Sequence, residues 1–370
     1  MKPIVPLKRC RAGALTALSM LCCVAASNAQ VDNLNANGFY RAHALVSNGA
    51  VPADVTDAKL VNPWGLAFNP NAVVWVSDNG TGVSTLYDGA GAKQSLVVAI
   101  PPAAIGDGLG HPTGIVFNSS TDFVVKKGGV SGAGVFLFAG EDGTISGWAP
   151  SVDLTRAVRM VDRSAAGAVY KGLALGGNGK THLLYAADFH NRRVDVFNAN
   201  FARIMRPGAF QDSAVPANFA PFGIQNINGD IVVAYAKQDS DAHDDVAGPG
   251  LGIVDVFDAN GTLIRRLATR GALNAPWGVA LAPSGFGRFG GALLVGNFGD
   301  GAINAFDPVS GKFLGSLSDG AGKKLHLDGL WGIAFGNGVA GQATDALYYT
   351  AGPNDEADGV YGVIRAVAHP

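Results

Sequence analysis

Seven consecutive residues, Asp239-Ser240-Asp241-Ala242-His243-Asp244-Asp245, place four carboxylates and one imidazole in a single short stretch. Asp239 and Asp241 alternate, so both could reach one Ca2+, a hard cation that takes several oxygen ligands from a flexible loop. His243, with Asp244 and Asp245 beside it, would instead suit another divalent cation of the transition series. The stretch has no glycine at its sixth place and no closing glutamate, which excludes the EF-hand pattern. Its ordinary alternative is a solvated insertion loop.

Two further sets of residues carry chemistry by recurrence. Polar residues follow apolar runs at Asp78 and Asn79, Asp188 and His190, Lys237 and Asp239, Asn297, and Asn354 and Asp355. If they converge, they form a polar floor for a cation or for acid–base work; taken singly, Asp and Asn at strand ends cap their own backbone. Large side chains precede a recurring glycine at Trp64, Lys171, Phe222, Trp277 and Trp331, with Thr113 as the small member. They would wall a mouth able to stack on a flat small molecule or glycan, or else pack between repeats. His111, beside Pro112, joins the candidates for the same face.

Several chemistries are excluded. Gly176-Gly177-Asn178-Gly179-Lys180-Thr181 lacks the first glycine of a phosphate loop, since position 174 is Ala174. No Gly-x-Ser-x-Gly elbow and no His-Glu-x-x-His pair occurs. The catalytic residues, if any, remain unknown at this level.

The elements that must position these residues come from a repeat. Trp64-Gly65-Leu66-Ala67-Phe68, Thr113-Gly114-Ile115-Val116-Phe117, Lys171-Gly172-Leu173-Ala174-Leu175, Phe222-Gly223-Ile224-Gln225-Asn226, Trp277-Gly278-Val279-Ala280-Leu281 and Trp331-Gly332-Ile333-Ala334-Phe335 are variants of one phrase. Five of the six are glycine followed by unbroken apolar residues, which reads as a strand buried on both faces. Each phrase leads to a turn and a second apolar strand, then to an alternating strand such as Val194-Asp195-Val196-Phe197, a turn and a fourth strand. Four strands per unit, six units in series, predicts an all-β, six-bladed β-propeller. The last unit supplies only three strands, so Phe39–Ser47 is expected to complete it as the outer strand and remove an exposed edge.

The third unit, Asp188-Phe189-His190-Asn191-Arg192-Arg193 before Val194-Asp195-Val196-Phe197, resembles the NHL repeat. Asn62-Pro63-Trp64-Gly65-Leu66 and the acidic loop Asp239–Asp245 are similar to a family of exported bacterial propellers of unassigned function. The resemblance implies fold and export, not a reaction. The recurring residues themselves, with no recognisable nucleophile or complete metal triad among them, point to a binding or scaffold role with the ligand at the top of the central channel. Blade count also resembles lactonase-like propellers, hydrolases or lyases with a divalent ion on the axis. Their metal site includes a glutamate near the first blade. The only glutamates here are Glu141, expected in a turn between outer strands, and Glu356, in a late loop, so Asp78, Asp188 and Asn297 would substitute.

Composition agrees with short strands and many turns: 52 of 370 residues are glycine, and all but two of the 29 acids are aspartate. Residues 1–29 read as a cleaved signal peptide, with basic Lys2, Lys8, Arg9 and Arg11, an apolar run Ala12–Ala26 and a Ser27-Asn28-Ala29 site. A single propeller domain, residues 30–370, is expected to be periplasmic or extracellular and monomeric. All three cysteines, Cys10, Cys22 and Cys23, lie in the leader without a convincing lipobox. Losing four basic residues takes the net charge from −2 to −6, which argues against nucleic acid. No membrane span is read in the mature chain; a small molecule, a glycan or an envelope protein are the partners left.

Overall fold

The computed structural model describes residues 38–106 and 108–368. The expected leader and its cleavage site lie outside the described residues. Among those described there is no α-helix, only three single-turn 3-10 segments. No helix is long and apolar enough to cross a membrane.

The strands form six radial sheets, and the six-bladed propeller is confirmed. Blade three shows the plan: Tyr170–Gly177 lines the axis, and His182–Asp188, Arg193–Asn198 and Arg203–Ile204 follow outward, each antiparallel to the last. A blade cannot cover its own faces, so the core is divided into six wedges between neighbouring sheets. The wedge between blades two and three holds Leu137, Ile145, Tyr170, Leu184 and Phe197, all fully or almost fully buried. A seventh cluster lies on the axis.

Closure is as expected. Phe39–Ser47 pairs antiparallel with Val360–Val367, from Phe39 opposite Val367 to Ser47 opposite Val360. A short fifth strand, Val55–Thr56, adds to its outside in parallel. The sequence did not announce a hairpin in blade two, Val124–Lys127 with Val130–Ala133, inserted after the innermost strand. It pushes the second strand of that blade out to Phe136–Gly140.

The recurring glycines have one physical cause. A β-carbon on Gly65 would lie 2.6 Å from the Thr113 carbonyl oxygen, one on Gly172 2.9 Å from that of Phe222, and one on Gly223 2.0 Å from that of Trp277. Gly278 and Gly332 face the carbonyls of Trp331 and Trp64 at 2.5 and 2.6 Å, and Gly114 faces the Leu173 nitrogen at 2.3 Å. The six innermost strands therefore touch backbone to backbone around the axis, and no side chain fits at the joins. They leave a narrow cavity of about 40 Å³, lined by four of these glycines, room for a few waters at most.

Candidate functional site

In every blade the innermost strand slips its register at the residue before the glycine. Pro63 pairs with Asp78 but Leu66 with Val76; Tyr170 pairs with Asp188 but Gly172 with Ala187; Leu330 pairs with Ala351 but Ile333 with Tyr349. The other three blades show the same slip. Each is a β-bulge, the device that takes one side chain out of the ladder and re-aims it. Trp64, Thr113, Lys171, Phe222, Trp277 and Trp331 are the bulged positions.

The aromatic members meet one another on the axis instead of walling an open mouth. Trp64 and Trp331 stack with ring centres 3.4 Å apart, and Phe298 stacks on the far face of Trp331 at 4.0 Å. Trp277 meets both tryptophans edge-on, and Phe222 packs beside them. Trp64, Trp331 and Phe222 are buried and Trp277 is half-buried, so the rings plug the channel. Trp331 donates from Nε1 to Asn62 Oδ1 at 3.0 Å and Trp277 to the Lys171 carbonyl at 2.8 Å. The Trp64 Nε1 is buried with no hydrogen-bond partner among the described residues.

Above the plug lies a charged cluster. Lys171, 2% exposed, extends its ammonium to Glu141 Oε1 and, at 2.9 Å, to Asp244 Oδ1. The same ammonium stands 5.1 Å from the ring centre of Trp64, a cation–π contact. Asn79 donates to the other Glu141 oxygen at 2.6 Å, and His243 Nδ1 bonds Asp244 Oδ1 at 3.0 Å. Asn62 turns its amide to Glu356 Oε2 at 2.5 Å. Blades one, two, three, four and six all contribute.

Charge settles the protonation. Burial opposes the charged forms of Lys171 and Glu141, yet their mutual attraction and hydrogen bond win: Lys171 is held well above its usual range and Glu141 below its own. The His243 hydrogen bond, then Lys171, hold Asp244 low, and Asp244 raises His243 in return. Asp245 goes the other way. Burial pushes it up to about 7, against the pull of Lys171 and with the help of Glu356, and its Oδ2 is buried with no partner among the described residues. Burial also raises Glu356.

Glu356 is aimed by strained backbone. Asn354, Asp355 and Glu356 have φ of 58°, 53° and 65°, three consecutive side-chain-bearing residues in the left-handed region. Each costs about 1–2 kcal/mol, and such strain clusters at working sites. The Asn354 N–H donates to Asp328 and the Glu356 N–H to the Gly352 carbonyl, which hold the turn.

Glu356 lies in the late loop expected of it, between Leu347–Ala351 and Val360–Val367, whereas Glu141 corrects the sequence-based expectation. Glu141 does not sit between outer strands; it leaves the second strand of blade two, and its N–H bonds the His111 carbonyl at 3.0 Å. That carbonyl is how His111, half-buried, supports the site. The inserted hairpin concealed the position. The signal was present, since Phe136-Leu137-Phe138-Ala139-Gly140 before Glu141-Asp142-Gly143 has the form of the other second strands and turns.

The remaining candidates divide. Asn79, Lys171, His243, Asp244 and Asp245 come together. Asp239 accepts from the His243 N–H at 2.9 Å, closing its own loop, while Asp241 is exposed and accepts from the Ser240 hydroxyl at 3.5 Å. Asp78 is fully buried inside blade one, where Thr85 donates to it at 2.8 Å. Asp188 is held by Asn191 and Arg193, the residues that carried the repeat resemblance, and His190 is exposed beside them. Asn297 bonds the Ala272 carbonyl and Asp300. These three are strand-end turn residues. Among the described residues, the group whose ligand atoms lie mutually within 4.8 Å is Glu141, His243 and Asp244.

Fold and site together define a six-bladed propeller with a polar cluster seated on an aromatic axial plug. The chain belongs to the same family as two proteins of Acanthamoeba polyphaga mimivirus, uncharacterized proteins R648 and L690. It is 34% identical to R648 over 333 residues, 88% of this chain and 80% of R648, and 34% identical to L690 over 334 residues, 87% and 85% of the two. No protein-family model matches the chain. Among solved structures, a Bacteroides thetaiotaomicron protein of unknown function superposes with a TM-score of 0.56 at 12% identity, over 88% of this chain and 76% of the other. A glucose dehydrogenase gives 0.51 at 15%, over 89% and 99%, and a streptogramin B lyase 0.50 at 11%, over 88% and 97%. At these identities the likeness is one of fold.

Proposed function

We propose that this is an exported, monomeric propeller, periplasmic or extracellular, that binds a small hydroxyl-rich molecule such as a glycan unit at the axial cluster. The observation that carries this reading is the convergence of side chains from five blades on one cluster, with Glu141, Asp244 and the Trp64 ring in direct contact with the Lys171 ammonium. Convergent polar groups over an apolar base are the usual form of a small-molecule site. Glu141, Asp244, Asp245 and Glu356 outnumber Lys171 and His243, so the cluster favours ligands that donate hydrogen bonds and disfavours anions. Titration of the mature chain with a panel of neutral and amino sugars, followed by calorimetry and tryptophan fluorescence, tests it. Binding that weakens at least about tenfold in Asp244→Asn, the loss of one charged hydrogen bond, is the expected result; silence across the panel would sink the reading.

A second reading is a divalent-metal-dependent hydrolase or lyase of lactonase-like type. It is favoured by the Glu141, His243 and Asp244 triad, whose donors suit Ca2+ or a first-row divalent ion. The fit is incomplete, because Lys171 bonds the same Glu141 and Asp244 oxygens that an ion would take. Metal analysis, with lactone turnover before and after chelation, decides; absence of both metal and turnover ends this reading.

A further inference from the structure

We propose that Lys171 is the resident cation of the axial cluster, and that its ammonium and a divalent ion are alternative occupants of the Glu141, His243 and Asp244 donors. The inference takes the axial cluster as the working site proposed above.

Three observations carry it. Lys171 is 2% exposed, and its ammonium bonds Glu141 Oε1 and Asp244 Oδ1, members of the only group of donors close enough to share an ion among the described residues. Its backbone is pinned: the residue is the bulged one, and its carbonyl accepts from Trp277 Nε1. Its stem is fixed as well, with the ammonium on the face of Trp64. The ammonium therefore cannot withdraw without leaving Glu141, only 15% exposed, as an uncompensated carboxylate. A divalent ion would in turn have to share the cluster with a fixed positive charge a few ångströms away.

The chemical consequence concerns ligand class. With the lysine in place the site offers a charge-assisted hydrogen-bonding surface and no open Lewis acid. It would take neutral polyols without a metal, which separates the two readings of function.

Mn2+ titration of the mature chain, followed by electron paramagnetic resonance, tests the inference. Lys171→Ala should bind Mn2+ at least about tenfold more tightly than the native chain. Lys171→Arg, which keeps the charge, should stay weak, and Glu141→Gln added to Lys171→Ala should abolish the gain. Equal Mn2+ affinity in the native and Lys171→Ala chains would overturn the proposal, as would a folded Lys171→Ala with no gain. Should Lys171→Ala fail to fold alone, refolding in Mn2+ takes its place: recovery that needs Glu141 supports the exchange, and no recovery counts against it. Failure of the sugar-binding reading shows separately, as an unresponsive ligand panel with the Mn2+ results unchanged.

Discussion

Lys171 and Asp244 meet at 2.9 Å across the join between blades three and four, and the bond ties an otherwise exposed loop to a buried strand. Asp244 is 66% exposed, whereas Glu141, the other partner of the lysine, is 15% exposed. Most of the energetic weight therefore falls on Glu141. Lys171→Met should lower the free energy of unfolding by about 3 kcal/mol, the usual cost of stranding one half of a buried pair. Urea denaturation measures it. Hydrogen exchange of residues 239–246 should quicken in the same variant. A loss under about 1 kcal/mol would mean that solvent screens the pair as it does on a surface.

Backbone contact between blades makes the ring glycines intolerant. Gly223→Ala places a methyl 2.0 Å from the Trp277 carbonyl oxygen, where only main chain could yield. The expected cost is at least about 3 kcal/mol or failure to fold. Gly106→Ala, with nothing within 4 Å, is the control and should leave the melting temperature unchanged. Comparable melting curves for the two variants would contradict the packing described.

Asp245 gives stability a pH slope of defined sign. Its folded pKa of about 7 lies above its ordinary value of 3.8. Between roughly pH 4 and 7 the folded chain thus keeps a proton that the unfolded chain has shed. This contribution is complete below pH 4 and is lost as pH rises through 7. Asp244, held low, has the opposite sign and loses its contribution only in acid. Asp245→Asn should flatten the decline in melting temperature between pH 4 and 7. An unchanged decline would assign the slope to other groups, such as Asp255, which burial raises to about 6.

Tyr40 fastens the closing strand to the wedge between blades five and six. Its hydroxyl donates to the Phe286 carbonyl at 3.1 Å and accepts from the Phe289 N–H at 3.0 Å, while its ring stacks on Phe289. Tyr40→Phe should cost about 1–3 kcal/mol, because two main-chain groups lose their partner where water does not reach. Thermal unfolding followed by circular dichroism provides the check.

The glycine phrase made blade number legible, because main-chain contact at the axis admits one residue type and leaves the same mark six times; closure was legible from the missing fourth strand of the last unit. Lys171 and Asn79 were legible as site residues for a related reason, since they stand at fixed points of the repeat, whereas the loop Asp239–Asp245 stood out by its density of carboxylates. Glu141 was not, since the hairpin Val124–Ala133 shifted the register of its blade. The left-handed turn at Asn354–Glu356 left no mark either, because none of its residues is glycine. Nor could spacing tell Asp188 and Asn297, which serve their own turns, from Asp244, which reaches the axis. That difference depends on loop length, which repeat counting ignores.

Pairing Phe39–Ser47 with Val360–Val367 also sets a timetable. Blades one to five can each be completed from continuous stretches as the chain is made, but the sixth has to wait for the last strand. Until then Phe39–Ser47 has only the two-residue strand Val55–Thr56 beside it and blade one has a bare flank, the kind of surface on which half-made chains associate wrongly. Glu356 arrives with the same stretch of chain, so the axial cluster is assembled only when the sixth blade is made, and a chain terminated before that blade would lack part of the site as well.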